Sequence, residues 1–268
     1  MKIGSQKQRS SAISSSNDHT IIVRGRDLCA QLIGRITFTD HVWLLVTGQI
    51  PTEAQRRVLD ATLVAIAEHG LVPSVQASRM TLAAAPEALQ GAVAAGILGC
   101  GSVILGAADG AGRLLDAVIA RAGAKSLTDA AAETIRELRA AGKSIPGYGH
   151  PLHKDHDPRA RRLLEIAKVV GCSGRHVEAA IAIEQVLPHV TGKTLVMNVS
   201  GAIPAVLLDA GYPLLALKGV PILARTAGLI AHLLEEQERP IGFVLSHAGA
   251  AAIDYDGVAP ADFVASDK

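Results

Sequence analysis

The residues with the richest chemistry lie in one loop, residues 145–150, and at the start of the helix that follows it. Gly147 and Gly149 flank a tyrosine, so the backbone could approach a ligand closely and leave N–H groups free to point at it. His150 comes next, and a histidine there can act as a general acid or base near neutral pH. Arg159 offers a planar fork for a carboxylate. The alternative is an ordinary Gly/Pro loop whose histidines face solvent.

This segment, with Asp157-Pro158-Arg159, resembles the GYGH…DPR signature of the citrate synthase superfamily. In that family the histidine binds and polarises the carbonyl or hydroxyl of an oxo-acid, and the arginine holds one of its carboxylates. The resemblance therefore implies that His150 is catalytic and substrate-binding and that Arg159 binds substrate. It also implies that the glycine-rich turn contacts CoA through Ile145, Gly147, Tyr148 and Gly149.

Further segments follow the order that the family gives them. His69, in Ala-Glu-His-Gly, resembles the A-D-H-G/E motif, whose histidine is catalytic and also binds the oxo-acid. Residues 44–52 (LLVTGQIPT) resemble a structural signature of the family. Arg225 stands where a carboxylate-binding arginine is expected, and Arg239 matches an arginine that reaches a neighbouring subunit's site. The resemblance covers roughly residues 24–240.

The arginines also make sense physically. A ligand with two or three carboxylates needs matching cationic forks, since a buried charge without a partner is costly. Arg225 lies among apolar residues (Leu223, Ala227 and Ile230), which favours partial burial and an anionic partner. An exposed or snorkelling side chain is the alternative.

Two positions depart from the family pattern. A histidine that helps to enolise acetyl-CoA is replaced by Leu105, and lyase relatives can carry an apolar residue there. The catalytic aspartate of an N-V-D-G segment is replaced by Ser200, whose hydroxyl is a far weaker base. Condensation should therefore be impaired, whereas cleavage could use His150 to take the hydroxyl proton and a water held by Ser200 to protonate the enolate.

The resemblance implies a carbon–carbon lyase that cleaves citryl-CoA, or a close 3-hydroxy-3-carboxyacyl-CoA, to acetyl-CoA and an oxo-acid such as oxaloacetate. The short chain of 268 residues favours this over a full synthase. One alternative is a citrate or 2-methylcitrate synthase, which needs the missing base. A second is a non-catalytic paralogue that binds a CoA ester or a tricarboxylate.

Composition predicts an all-α, cytoplasmic protein. Hydrophobic residues make up 49% of the chain but aromatics only 3%, so Ala, Leu, Val and Ile must build the core and favour helix. The net charge of +1 comes from interspersed charges, which predicts no nucleic-acid partner. The apolar stretches contain glycines and predict no membrane span. Without a CxxC pair we expect no metal site. The resemblance implies no bound cofactor, with the CoA thioester entering as substrate.

The expected organisation follows the pattern and the resemblance together. Met80–Leu98 reads as one Ala-rich helix, a capped helix begins after Ser126, and the chain looks irregular after Pro240. The resemblance implies a citrate synthase-like fold with the active site in a cleft between two domains, hinged near Gly106 and Gly201, in a homodimer or higher homo-oligomer. We expect a flexible arm (1–20), a large domain (21–105 and 201–268) and a small domain (106–200).

Overall fold

The computed structural model describes residues 9–101, 105, 107–123, 125–149 and 155–262. It confirms the all-α class, because helices dominate the described chain. The helices are α1 (Phe38–Thr47), α2 (Glu53–Ala67), α3 (Pro73–Ala84), α4 (Leu89–Leu98), α5 (Ala107–Ala122), α6 (Leu127–Ala140), α7 (Pro158–Val169), α8 (Arg175–Thr191), α9 (Val199–Asp209), α10 (Gly219–Glu238) and α11 (Gly242–Ala252), with a π-helical turn at Leu28–Leu32 and a 3-10 turn at Leu214–Ala216.

A small antiparallel ribbon precedes the helices. Its strands are β1 (Ser14–Ser16), β2 (Ile21–Val23) and β3 (Arg26–Asp27), in that order. Ser14 pairs with Val23 in the register of β1 and β2. The structure thus differs from the expected flexible arm, because the end of residues 1–20 belongs to a sheet. Arg24 fastens the ribbon, since its Nε and Nη2 donate to the Leu45 carbonyl at 2.9 and 2.6 Å.

The chain divides into two compact units. Unit 1 comprises Met1–Ala65 and Ala107–Lys218, and unit 2 comprises Ile66–Gly106 and Gly219–Lys268. The junction at 106/107 lies close to the expected boundary at 105/106, whereas the other two fall at 65/66, where no boundary was expected, and at 218/219 rather than 200/201. The two compact units are defined by how densely their residues pack. The expected large and small domains are instead defined by their motion relative to each other, so the domain division stays a prediction.

Unit 1 is built on α5, α6, α7, α8 and α9, which pack on one another. Small residues let these helices approach closely: a Cβ on Gly112 would lie 2.8 Å from the side chains of Leu214 and Leu217. Trp43 and Tyr212 add an edge-to-face ring pair at 5.3 Å. This tight packing holds the N-termini of α7 and α9, where two of the expected site residues lie.

Unit 2 packs α10 against α3 and α4, and α11 against α3. The expected single helix over Met80–Leu98 is wrong: α3 ends at Ala84 and α4 begins at Leu89. Pro86 lies between them and cannot continue a helix. The expectation of irregular chain after Pro240 is also wrong, because α11 follows at once.

Among the described residues, Leu214–Glu238 is long and apolar enough to cross a membrane by length and composition alone. A core helix of a soluble protein meets the same criteria. Here α10 packs on α3 and α4 as a core helix does.

Candidate active site

The glycine-rich turn is hydrogen-bonded to the segment that leads into α9. Gly147 and Gly149 both have φ of 87°, in the left-handed region that favours glycine. The Gly147 carbonyl accepts from the Asn198 N–H at 3.0 Å, and the Gly149 N–H donates to the Val196 carbonyl at 2.7 Å. Asn198 Nδ2 also donates to the Gly149 carbonyl at 2.7 Å. The expectation that the turn leaves its N–H groups free for a ligand is therefore wrong for Gly149.

Tyr148 anchors the turn in unit 1. Its hydroxyl donates to the Ala180 carbonyl on α8 at 2.8 Å, and the residue is buried. Burial, with the negative charge of Glu184 nearby, raises the pKa of the phenol well above its ordinary value, so the hydroxyl stays protonated as a donor. Its expected contact with CoA stays a prediction.

Gly147 and Gly201 pack backbone against backbone. A Cβ on Gly201 would lie 2.5 Å from the Gly147 carbonyl oxygen, and one on Gly147 would lie 2.6 Å from the Gly201 Cα. Gly201 lies inside α9, not in a loop. This close approach explains why the position is a glycine, and the expected hinge near Gly201 stays a prediction.

Asp157 orients Arg159 and ties α7 to α9. The aspartate is fully buried and caps α7, with Oδ1 accepting from the Arg159 backbone N–H at 3.0 Å and from Arg159 Nε at 3.1 Å. Its Oδ2 accepts from Arg159 Nη2 at 3.0 Å and from the Val199 N–H at 2.9 Å. Burial alone raises the pKa of this carboxyl, but Arg159 and the Val199 N–H bring it below its ordinary value. Sequence analysis missed Asp157, although its place directly before Pro-Arg is a typical N-cap signal.

Ser200 is the second residue of α9 and is half-buried. Its N–H donates to the Asn198 side chain at 2.9 Å, and the N–H groups of Gly201 and Ala202 go to the Asn198 carbonyl. The backbone donors at the start of α9 are therefore used inside the protein. The chemistry available at this position is that of the Ser200 hydroxyl.

Three other positions in this region were singled out from the sequence: His150, Gly106 and Leu105. His150 lies outside the described residues, and so does Gly106. Leu105 is described and has φ of 66°. A leucine in the left-handed region costs roughly 1 to 2 kcal/mol, so the position that carries a histidine in the family is strained here.

His69 follows the end of α2 in an exposed segment of unit 2. The preceding Glu68 accepts from the Gly70 N–H, and its other oxygen lies 2.9 Å from Nε2 of His232 on α10. Burial raises the pKa of Glu68, yet His232 and the Gly70 N–H lower it by more. His232, which carries no sequence motif, thus helps to hold the segment that bears His69.

Arg225 lies on α10, and its predicted burial is confirmed at 3% exposure. One turn later, Gly228 brings α10 against the end of α2, because a Cβ there would lie 2.2 Å from the Ala67 carbonyl oxygen. The elements that carry Arg225 and His69 are therefore in contact within unit 2. Arg225 also lies near Cys100, whose pKa is raised by burial and only partly lowered by the guanidinium charge.

Arg239 follows α10, and its side chain is 80% exposed. A buried ion pair fixes its backbone: Arg79 Nε donates to Glu236 Oε2 at 2.6 Å, while Arg79 Nη2 donates to the Arg239 carbonyl at 3.0 Å. Glu236 also accepts from the N–H of Gly242 at 2.7 Å. Burial raises the pKa of Glu236, but Arg79 and the backbone donors lower it by more. Arg79 and Glu236 were not singled out from the sequence.

A cationic cavity adjoins the glycine-rich turn in unit 1. It has a volume of about 340 Å³ and is lined by Ile145 and Tyr148 of the turn. Arg139, Lys143 and Lys193 supply its positive charge. All three cations are exposed, so their charges are available to an anionic ligand. Among the described residues, no group of three or more His, Cys, Asp or Glu side chains could hold a metal ion.

Comparison with known sequences gives a family match. The model of the family described as "Citrate synthase, C-terminal domain" matches residues 53–242. ATP-citrate synthase subunit 1 of Sordaria macrospora is 28% identical over 204 residues, which cover 69% of this chain and 29% of that protein. Citrate synthase of Heyndrickxia coagulans is 24% identical over 207 residues, covering 76% of this chain and 53% of that one. The chain thus spans about a third to a half of the length of these curated relatives.

Solved structures extend the likeness to the whole chain. Citryl-CoA lyase from Hydrogenobacter thermophilus superposes with a TM-score of 0.84 and 32% identity, covering 96% of this chain and 97% of that one. ATP citrate lyase of Methanosaeta concilii, solved with (3S)-citryl-CoA, has a TM-score of 0.77 and 23% identity over 97% of this chain and 43% of its own. At 23% identity, the similarity to ATP citrate lyase shows a shared fold.

Proposed function

Because this chain belongs to the citrate synthase family, we propose that it is a carbon–carbon lyase that cleaves citryl-CoA, or a close 3-hydroxy-3-carboxyacyl-CoA, to acetyl-CoA and an oxo-acid such as oxaloacetate. The observation that carries the proposal is the likeness to citryl-CoA lyase, which extends over nearly the full length of both chains. Ser200 stands where the family has aspartate, so we assign the proton transfer at carbon 2 to a water held by the serine hydroxyl.

The reaction is a retro-aldol cleavage. His150 takes the proton of the substrate hydroxyl, the oxygen electrons form the carbonyl of the oxo-acid, and the bond between carbons 2 and 3 breaks. Its electron pair passes to carbon 2 as a thioester enolate. A water held by the Ser200 hydroxyl then protonates carbon 2 and yields acetyl-CoA, and the hydroxide that remains receives the proton that His150 removed. No oxidant, metal or further reactant is needed for the balance.

The carboxylates are assigned to Arg159, Arg225 and Arg239, with His69 as a further oxo-acid ligand. Arg159 suits this role because Asp157 fixes the plane of its guanidinium through two hydrogen bonds. Arg225 is buried at 3% exposure, and its role as a carboxylate ligand follows from the family resemblance. His69 and Arg239 take their roles from the family resemblance.

The CoA thioester is assigned to the glycine-rich turn and the cationic cavity beside it. CoA carries a diphosphate and a further phosphate group, and phosphate oxygens bind readily to exposed Lys and Arg. Arg139, Lys143 and Lys193 offer three such charges next to Ile145. The turn itself, with the Gly149 N–H bonded to the Val196 carbonyl, serves as a rigid wall for the nucleotide.

We also propose a homodimer. The exposed face of α10 presents Ile230 and Leu234, and α11 presents Phe243 and Val244, each more than half exposed. Exposed apolar residues one turn apart on a helix, as at Ile230 and Leu234, are typical of subunit interfaces. Arg239, exposed beside them, could then reach the partner's site as the resemblance implies.

Product analysis tests the function against its alternatives. A lyase converts citryl-CoA to acetyl-CoA and oxaloacetate without releasing a thiol, whereas a synthase would hydrolyse the thioester to citrate and free CoA. We expect acetyl-CoA by chromatography and no signal from a thiol reagent. Free CoA in amounts equal to the substrate consumed would identify a synthase, and intact bound citryl-CoA would identify a binding protein.

A further inference from the structure

A second cavity of unit 1 lies between the C-terminal part of α2 and the N-terminal part of α7. It has a volume of about 430 Å³, within the range of small-molecule sites of about 300–1,000 Å³. Ala61 and Val64 on α2 and Leu163 and Ile166 on α7 give it walls made almost entirely of carbon. Val64 is 74% exposed, a large apolar surface that the fold leaves open to the cavity.

Arg159 belongs to the lining of the same cavity. Its guanidinium is fixed by Asp157, so a carboxylate bound to Arg159 would be held in a defined place at an apolar surface. Arg162, also in the lining, adds a second positive charge. A site with cationic groups and an apolar lining suits an acid that carries an alkyl arm. Burial of the alkyl arm contributes binding free energy, while the carboxylate stays paired with an arginine.

We propose that this cavity extends the substrate class to 3-hydroxy-3-carboxyacyl-CoA esters with an alkyl arm on carbon 3. The inference rests on the proposed lyase function. Arg159 holds the carboxylate of carbon 3 and the arm enters the cavity lined by Val64 and Ile166. Cleavage proceeds as for citryl-CoA: the bond between carbons 2 and 3 breaks, its electron pair goes to carbon 2, and the hydroxyl proton leaves. The products are acetyl-CoA and a 2-oxo acid with an alkyl side chain.

The test compares binding of pyruvate, 2-oxobutanoate and 4-methyl-2-oxopentanoate, read by calorimetry and as inhibition of citryl-CoA cleavage. Burial predicts a gain of up to about fourfold in affinity per added carbon, and at least about tenfold from pyruvate to the branched acid. Val64→Phe fills the cavity and should remove this gain, while the affinity for pyruvate, which has only a methyl group to place there, should stay within about twofold. Val169→Phe is the matched control, because Val169 is exposed at the end of α7 and outside the cavity lining.

Equal affinity for the three acids, or a gain that survives in Val64→Phe, would overturn the inference. Calorimetry separates it from the proposed function. If citryl-CoA is not cleaved but the alkyl gain is present and lost in Val64→Phe, the cavity is assigned and the lyase function fails. If citryl-CoA is cleaved and the gain is absent, only the alkyl site fails.

Discussion

Asp157 and Arg159 form a two-point ion pair, with Oδ1 3.1 Å from Nε and Oδ2 3.0 Å from Nη2. The same carboxylate accepts the Val199 N–H at the start of α9, next to Ser200. The buried side chain of Asp157 therefore fixes the plane of the Arg159 guanidinium and also holds the N-terminal end of α9, which carries Ser200.

Asp157→Asn should impair citryl-CoA cleavage strongly. The amide cannot accept both guanidinium bonds, so Arg159 loses its fixed plane, and a misplaced positioning group costs up to about a hundredfold in rate. We expect kcat/KM to fall by about tenfold to a hundredfold, with a weaker inhibition constant for oxaloacetate. Steady-state kinetics check this, and Asp155→Asn, an exposed acid of the same loop, is the control. Equal kinetics in the two variants would contradict the role of Asp157.

Gly201→Ala should destabilise the protein. The new Cβ would meet the Gly147 carbonyl oxygen, which belongs to a hydrogen-bonded turn and cannot move cheaply. We expect a loss of about 2 kcal/mol or more in the free energy of unfolding. The control is Gly249→Ala in α11, where a Cβ meets nothing within 4 Å and should stabilise the helix by about 0.5–1 kcal/mol. Urea unfolding compares the two, and a neutral Gly201→Ala would contradict the close packing.

The contribution of His176 to stability should depend on pH. Its Nδ1 lies 2.8 Å from Asp209 and its Nε2 lies 3.0 Å from Asp116. The hydrogen bond to Asp209 raises the pKa of the imidazole above its ordinary value of 6.5, with burial opposing and Asp116 assisting.

A raised folded-state pKa means that this stabilisation is fully present below about pH 6.5 and is lost as the pH rises through the folded-state value. His176→Gln should therefore cost more stability at about pH 6 than at about pH 9 in urea unfolding. The exposed His247→Gln serves as control. A cost for His176→Gln that is the same at both pH values would argue against the charged pair.

Glu236→Gln and Glu235→Gln form a matched comparison, since both acids bind Arg79. Glu236 is 3% exposed by side chain and Glu235 46%. Breaking a buried pair costs up to about 3–5 kcal/mol, and Arg79 without Glu236 keeps only the more exposed Glu235 as its ionic partner, whereas an exposed pair contributes about 0–1 kcal/mol. We expect the Glu236 variant to unfold at much lower urea concentration. Similar midpoints would mean that Arg79 does not depend on Glu236.

Local signals in the sequence predicted much of the fold. The capping signal at Ser126 was confirmed, because its hydroxyl accepts from the Asp129 N–H at the start of α6. The α11 segment was missed because its apolar residues and glycines are spread around the whole helix, so the sequence shows no amphipathic period.

The site was predicted through motifs, and its supporting contacts were not. Asp157 and Val199 are 42 residues apart in sequence, and Glu68 and His232 are 164 apart. No periodicity or propensity relates positions so distant, because only the packing of helices brings them together. The motif residues give the predicted site, whereas the roles of Asp157, His232 and the Arg79–Glu236 pair in supporting it require the structure.

The most direct test of the central claim is a coupled assay with purified protein and citryl-CoA, in which malate dehydrogenase and NADH report oxaloacetate. We predict saturable turnover that is abolished by His150→Ala, with Ser200 standing where the family has aspartate. Saturable binding of citryl-CoA by calorimetry without any oxaloacetate would contradict the lyase function and identify a binding protein.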